Sequence, residues 1–322
     1  MWPFKKKATP FNTWPIVRTK PNGKKYGHAI QLFINNWQCH LTTVDVFSDG
    51  AVDCWGFVDL ELFRQKLRSR WVVPNPTKPD QNISVFHFGI TGFRNAEWFQ
   101  DSASIAAEVE SIVKSLNPER QNLIDMEGSD TEARGKVRYA KMGISDKKPF
   151  RRLANSGEEV LGDSVSILRV AAGAFELVPL FVFSDGFVQV GAGTPLIPIE
   201  RVDQLYTEGK ITNSAPSGSK IILPGLGSFE TTTDFGGVSQ RDRVSELRDK
   251  VNVLQGKPSV VTLCAQAFTD YEKAPSDEMK ELLRHAYDRV PEHLRCYCGD
   301  MDTRDAAIRR VLDGDAAGTE LT

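Results

Sequence analysis

The chain has 322 residues, 40% hydrophobic and 25% charged, with 40 lysines and arginines against 42 acidic residues. That length accommodates two domains of ordinary size, and the composition is too apolar for a broadly disordered polymer. A formal net charge of −2 gives no global pull toward nucleic acid or an anionic membrane.

The first seven residues place Trp2 and Phe4 beside three lysines, with no apolar run behind them. This lacks the core of a signal peptide, so residues 1–27 are read as a solvated N-terminal segment and the cytoplasm as the address. No stretch approaches the roughly 18 apolar residues of a membrane span. The five cysteines, Cys39, Cys54, Cys264, Cys296 and Cys298, are scattered and odd in number, which suits free thiols in a reducing compartment.

From residue 28 the chain reads as strands over about 29–35 and 39–47, β-branched and partly alternating. Asp49-Gly50 then predicts a type I′ hairpin turn, and Val52, Cys54 and Phe57 a third strand. Asp59 is placed to cap a short helix with Leu60, Phe63 and Leu67 on one face. A Pro-rich loop leads to a strand at 83–88, a longer amphipathic helix over 103–116 and a last short strand.

The same order then recurs. Segment 28–50 aligns without a gap on 164–186, Phe47-Ser48-Asp49-Gly50 returning as Phe183-Ser184-Asp185-Gly186. Leu32 falls on Leu168 and Ile34 on Val170; further on, Phe63 falls on Val202, Val85 on Leu223 and Val109 on Leu247. Apolar positions in phase over about a hundred residues mark a tandem duplication, the first thing to exclude or establish in a chain this long. The expected fold class is α+β: two copies of a mostly antiparallel sheet backed by helices, with a helical C-terminal extension. The expected divisions are 28–145 (first copy and linker), 146–262 (second copy) and 263–322 (extension). The linker is the polar stretch 128–159, breaking near Ser145-Asp146-Lys147-Lys148-Pro149. In the extension, helices are expected over 279–290 and about 303–312. The first should cap copy two or fill the groove between copies, and the copies should pack about an approximate two-fold.

Residues kept in both copies are apolar or turn-forming and explain the fold, the shared Asp included. Copy one alone holds Asp53, Trp55, Asp59, Trp71 and His87; Trp55, Trp71 and His87 face Gly191, Lys210 and Gly225 in copy two. These five are the candidate binding residues, since tryptophan is enriched at binding hot spots. The bland alternative is that the tryptophans are core and His87 a satisfied histidine on a strand. Cys54 with His40 or His87 lacks a recognisable nucleophile signature. His285, His293, Cys296 and Cys298 are weak zinc candidates, because a single residue between the cysteines strains a tetrahedral bite. Asp125-Met126-Glu127 and Asp59-Leu60-Glu61 lack the partners that a metal-dependent nuclease requires. No phosphate-binding loop, dinucleotide fingerprint, nucleophile elbow or H-E-x-x-H is present, so neither a cofactor nor a catalytic set is expected.

The run Phe47-Ser48-Asp49-Gly50-Ala51-Val52-Asp53-Cys54-Trp55-Gly56-Phe57-Val58-Asp59-Leu60 resembles the core of an uncharacterised bacterial family. In that family a D-G hairpin precedes D-C-W-G-x-V-D-L, a short helix and a Pro-rich loop. The resemblance is specific over 47–75 and weaker to 93. Copy two keeps the hairpin and departs at Cys-Trp-Gly, and no activity is implied. The soluble, motif-poor α+β make-up is also similar to immunity proteins of bacterial toxin systems, which implies a protein partner. The expectation is therefore a non-enzymatic binding protein, with toxin neutralisation its concrete form. A hydrolase or nuclease assembled only in three dimensions is the alternative.

Overall fold

A computed structural model describes residues 10–20, 23–78, 81–126, 149–299 and 302–313. Copy one runs β1 (Thr13–Lys20), β2 (Gly23–Asn36), β3 (Gln38–Phe47), β4 (Val52–Asp53), β5 (Phe57–Val58) and α1 (Leu60–Arg68). It continues with β6 (Val72–Val73), β7 (Ile83–Val85), β8 (Gly89–Thr91), β9 (Phe93–Trp98) and α2 (Ser102–Leu116). Copy two runs β10 (Phe150–Leu153), β11 (Glu159–Ala171), β12 (Ala174–Phe183), β13 (Phe187–Val190), β14 (Ile197–Pro198) and α3 (Val202–Thr207). Then come β15 (Ile211–Thr212), β16 (Ser214–Ala215), β17 (Lys220–Leu223), β18 (Gly227–Thr231), β19 (Phe235–Gly236) and α4 (Gln240–Leu254). The C-terminal region holds α5 (Val260–Lys273), α6 (Asp277–Asp288), a 3-10 turn (Glu292–Tyr297) and α7 (Ala306–Asp313).

The pairings repeat strand for strand. β2–β3, β3–β4, β4–β5, β2–β6 and β7–β8 are antiparallel and β3–β7 is parallel. β11–β12, β12–β13, β13–β14, β11–β15 and β17–β18 match them, with β12–β17 parallel. Helix starts obey their caps: Asp59 accepts from the Leu62 amide, Asp101 and Ser104 form a capping box, and Ser239 caps α4.

The register corrects the gapless alignment. Phe33 pairs with Val73 as Leu168 pairs with Thr212, so the first strands correspond at a spacing of 135 (33 to 168), not 136. The slip lies in the hairpin tip, where copy one has Trp37 alone between strands and copy two has Ala172-Gly173. A slip of one residue exchanges the two faces of a strand, and only 135 superposes the buried positions. Gly27 opposite Phe47 and Gly162 opposite Phe183 carry the same spacing; a Cβ on either glycine would lie under 3.0 Å from its phenylalanine ring.

Other expectations change in detail. Asp49-Gly50 is not a type I′ turn: only Gly50 (φ 76°) and Gly186 (φ 83°) are left-handed, in three-residue loops closed by Gly50 N–H to Phe47 O and Gly186 N–H to Phe183 O. The type I′ geometry is at Ala172-Gly173, φ 45° and 83°. The third strand of copy one is broken into β4 and β5 by a turn at Cys54, Trp55 and Gly56. β1, which buries Trp14, Ile16 and Val17, and β10 lie inside stretches read as terminus and linker, yet β1 pairs with β2 and β10 with β11. The expected break at 145–149 lies outside the described residues except Pro149. The last short strand is absent: 123–126 is irregular, and Val261 lies in α5. α6 forms near its expected place, but its buried Leu283 and Tyr287 pack in a separate cluster with α5 and α7 residues. It is the 3-10 turn after it that reaches both copies.

The two sheets join along two seams. Ile16 of β1 pairs with Phe150 of β10, and these are equivalent residues, each also opposite its copy's glycine, Gly27 or Gly162. At the other seam Trp98 pairs with Gly227, and the reciprocal residues Gly236 and Gly89 also touch. Equivalents meeting equivalents define an approximate two-fold, and 17 of the described strands form one large curled sheet, with β16 and β19 paired apart from it. Each copy is thus covered on one face by its helices and on the other by its partner copy. Val244 and Leu247 pack with Ile167 and Val178, whereas Phe33 and Leu41 share a core with Leu168 and Leu177.

Candidate functional site

At the mouth of β4–β5 the Asp53 carboxylate accepts from the Gly56 amide at 2.9 Å and closes a tight turn. The turn lifts Trp55 into left-handed backbone (φ 66°) with half its surface exposed. Trp55 packs against His40, 5.0 Å between ring centroids, and edge-on against Trp71 at 6.2 Å. Trp71 donates from Nε1 to Cys54 O and lies under the Lys66 ammonium. Asp45, Asp53, Trp55 and Gly56 line a hollow of 340 Å³ floored by Thr42 and Thr43.

The same two threonines line a neighbouring cleft of 310 Å³ between the copies. Its rim is the turn after β7, where Phe86 is 72% exposed and stacked on His87 at 3.8 Å. His87 is on this turn rather than on a strand, again in left-handed backbone (φ 53°). Its Nε2 lies 3.0 Å from the Tyr297 hydroxyl of the C-terminal region, and its backbone carbonyl accepts from Arg243 at 2.7 Å. Arg243 is wholly buried and donates to Glu246, which also accepts from His293 Nε2 at 3.0 Å and lies 3.8 Å from His87 Nδ1. Burial alone would raise the Glu246 carboxyl, but the hydrogen bond from His293 and the nearby His87 ring, with the charges of Arg243 and Lys250, hold it well below the usual range.

Of the five candidates, Asp53, Trp55 and Trp71 come together, and His87 borders the adjoining cleft. Asp59 does not belong with them: one carboxylate oxygen takes the Leu62 amide and the other the Met126 amide at 2.7 Å, which makes it a cap and a clamp. Glu61 beside it faces Arg64 and Arg68 on the surface, and Glu127 lies outside the described residues. The four zinc candidates diverge. His285 is exposed on α6, His293 holds Glu246, Cys296 donates to its own turn at His293 O, and Cys298 is buried in the cluster containing Cys264. Among the described residues no group of three His, Cys, Asp or Glu side chains is arranged to hold a metal.

Arg243, Glu246, Lys250 and Asp163 carry the cleft's polarity and Tyr297 holds His87 at its rim, and sequence reasoning misses all five. A signal exists for one of them: at the spacing of 138, Arg243 replaces Ile105, an arginine on a buried helical position. Tyr297 and His293 have no counterpart in copy one and give no such signal.

Two stretches, 15–120 and 152–258, match a domain of unknown function, DUF7638, and 259–321 matches a second, DUF7639. The chain therefore belongs to the DUF7638 family, in which it carries the domain twice. The change between the two domain models falls at the Ser259 cap of α5. No curated protein and no solved structure matches the chain.

Proposed function

We propose that this is a non-enzymatic binding protein in which copy one is the recognising copy, with neutralisation of a protein toxin as the concrete form of its activity. The observation that carries this is a backbone cost taken on by copy one alone. At two positions where copy two has Gly191 (φ 75°) and Gly225 (φ 80°), copy one keeps the same left-handed backbone but carries Trp55 and His87. A bulky residue there costs about 1–3 kcal/mol, and such outliers cluster at functional sites. Trp55 does not recover that cost by full burial, since half its surface remains exposed. Together Trp55, Phe86 and His87 border an aromatic surface across the Thr42-Thr43 floor, of the kind that anchors protein partners.

The test is co-expression with the product of the adjacent open reading frame, then co-purification and a growth-rescue assay. A stable complex is expected, weakened about tenfold or more by Trp55→Gly, which installs the copy-two residue. No complex and no rescue, or a complex indifferent to Trp55→Gly, overturns the reading.

A further inference from the structure

The C-terminal region has a chemistry of its own, independent of the partner surface. Cys264 lies in α5, and Cys298 ends the 3-10 turn that brings Tyr297 to His87 and His293 to Glu246. The two cysteine side chains are buried in one cluster with Leu283, Tyr287 and Leu294. Within it the Cys298 thiol donates a hydrogen bond to the Cys264 sulfur. Two sulfurs in contact from separate elements meet the first requirement of a disulfide.

The contact gives the two thiols different roles. The hydrogen bond from Cys298, helped by the charge of Arg295, draws the Cys264 thiol below its ordinary value against the effect of burial. The same bond, with burial, pushes the Cys298 thiol up. One sulfur is thus disposed to become the attacking thiolate, while the other keeps a proton to give up when it resolves the product. Cys39 supplies the contrast: it is as fully buried as Cys264, and burial pushes its thiol up to about 12. The neighbouring thiol, not depth, sets Cys264 apart.

We infer that Cys264 and Cys298 form a redox pair that closes to a disulfide under peroxide and fixes the C-terminal turn against the cleft. The Cys264 thiolate attacks one peroxide oxygen, the O–O bond breaks, and a sulfenic acid and a hydroxide result. The hydroxide takes the proton that Cys264 had shed and becomes water. The Cys298 sulfur then attacks the sulfenic sulfur: the S–S bond forms, the S–O bond breaks, and a second water leaves with the Cys298 proton. Two thiols lose two electrons and one peroxide gains them. Cys264 is 0% and Cys298 3% exposed, so the pair selects its oxidant by size. A water-sized peroxide enters on brief local opening, whereas a glutathione-sized disulfide needs the turn to undock. Once formed, the bond ties the end of the turn to α5, and the turn loses freedom to lift Tyr297 and His293 off their partners.

The full chain, reduced and then treated with hydrogen peroxide under native conditions, tests this. Oxidised glutathione at the same concentration is the bulky comparator. Alkylation in denaturant, digestion without reduction and mass spectrometry should find Cys264 linked to Cys298 and Cys39 still alkylated, with peroxide the faster oxidant. Amide hydrogen exchange over 292–298 should slow about tenfold or more on oxidation and recover when dithiothreitol reopens the bond. Cys264→Ala and Cys298→Ala should abolish the slowing; should either fail to fold, the recovery in the parent chain carries the same test. The inference is overturned if no Cys264–Cys298 bond forms, if Cys39 is oxidised as readily, if oxidised glutathione is the faster oxidant, or if the bond forms and exchange in the turn is unchanged.

Discussion

The two copies use the same device at the same turn and bury it to different depths. In copy one Arg18 of β1 reaches the Asp49 carboxylate at 2.8 Å and lies over the Phe47 ring at 4.4 Å. In copy two Arg152 of β10 pairs with Asp185 over Phe183 at 4.8 Å. Even the cap below is repeated, with Asn117 donating to Ser48 O and Gln255 donating to Ser184 O. The side chains of the first pair are 0% and 5% exposed, those of the second 16% and 36%. The segment after each long helix makes the difference. After α2 the chain folds back over its own turn, the Ile124 amide donating to Asp49 O and the Met126 amide to Asp59. After α4 the equivalent stretch becomes α5 and leads away, leaving its turn open to solvent. The same local chemistry thus becomes core or surface according to where the next segment goes.

The comparison is broken most directly by removing each carboxylate in turn. Asp49→Ala leaves a fully buried guanidinium without its carboxylate and should cost about 3–5 kcal/mol by chemical denaturation. Asp185→Ala, at an exposed pair, should cost about 0–1 kcal/mol. Equal losses would show that burial does not set the worth of the pair.

A second contrast has opposite signs. Glu246 of α4 and Glu108 of α2 are equivalent (108 to 246, a spacing of 138). The pull of His293, His87 and Arg243 depresses Glu246, whereas Glu108 is raised by burial with no compensating cation. A depressed carboxylate contributes stability that is present above its unfolded value, near 4.5, and lost as pH falls through the lower folded value. Glu246→Gln should therefore cost about 1–3 kcal/mol at pH 7, with the deficit shrinking below about pH 4.5. A raised carboxyl works the other way, destabilising once ionised, so Glu108→Gln should be slightly stabilising at neutral pH and neutral at acid pH. Melting curves across pH 3–8 check both; the same sign for both variants would overturn the account.

How much of the fold and the site is legible in sequence depends on the range of each interaction. The duplication, the helix over 240–254 and the Asp59 cap are local patterns, fixed by periodicity or by a hydrogen bond three residues away. β1 and β10 are not legible, because each is specified by the strands it lies between, β1 by β2 and β10 and β10 by β1 and β11. The one-residue slip at Trp37 is hidden because Phe47-Ser48-Asp49-Gly50 anchors the alignment downstream of it, while the glycines that expose it, Gly27 and Gly162, lie upstream of the segment compared. Trp55 and His87 stand out as copy-one residues, but their left-handed backbone does not, since φ is not written in residue type. The Glu246 cluster joins groups 3, 47 and 156 positions apart and becomes a site only when the C-terminal turn docks.

The smallest effect is at that slipped hairpin tip, where the copies solve one turn in two ways. Trp37 sits alone at φ 59° and is 98% exposed, so it has strain and almost no packing to offset it. Ala172-Gly173 carries the same reversal with a glycine at φ 83° and open space around it. Relief of the left-handed tryptophan is worth about 1 kcal/mol or more, and the added freedom of glycine in the unfolded chain takes back most of it. Trp37→Gly should thus be neutral to slightly stabilising, by about 0.5 kcal/mol, although it deletes the largest side chain. Gly173→Ala, which imposes the strain without a steric clash, should cost about 1 kcal/mol. Thermal denaturation of the two variants settles the matter. A loss of more than about 1 kcal/mol on Trp37→Gly would mean that the indole is packed in solution and that the single-residue tip is a structural necessity of copy one.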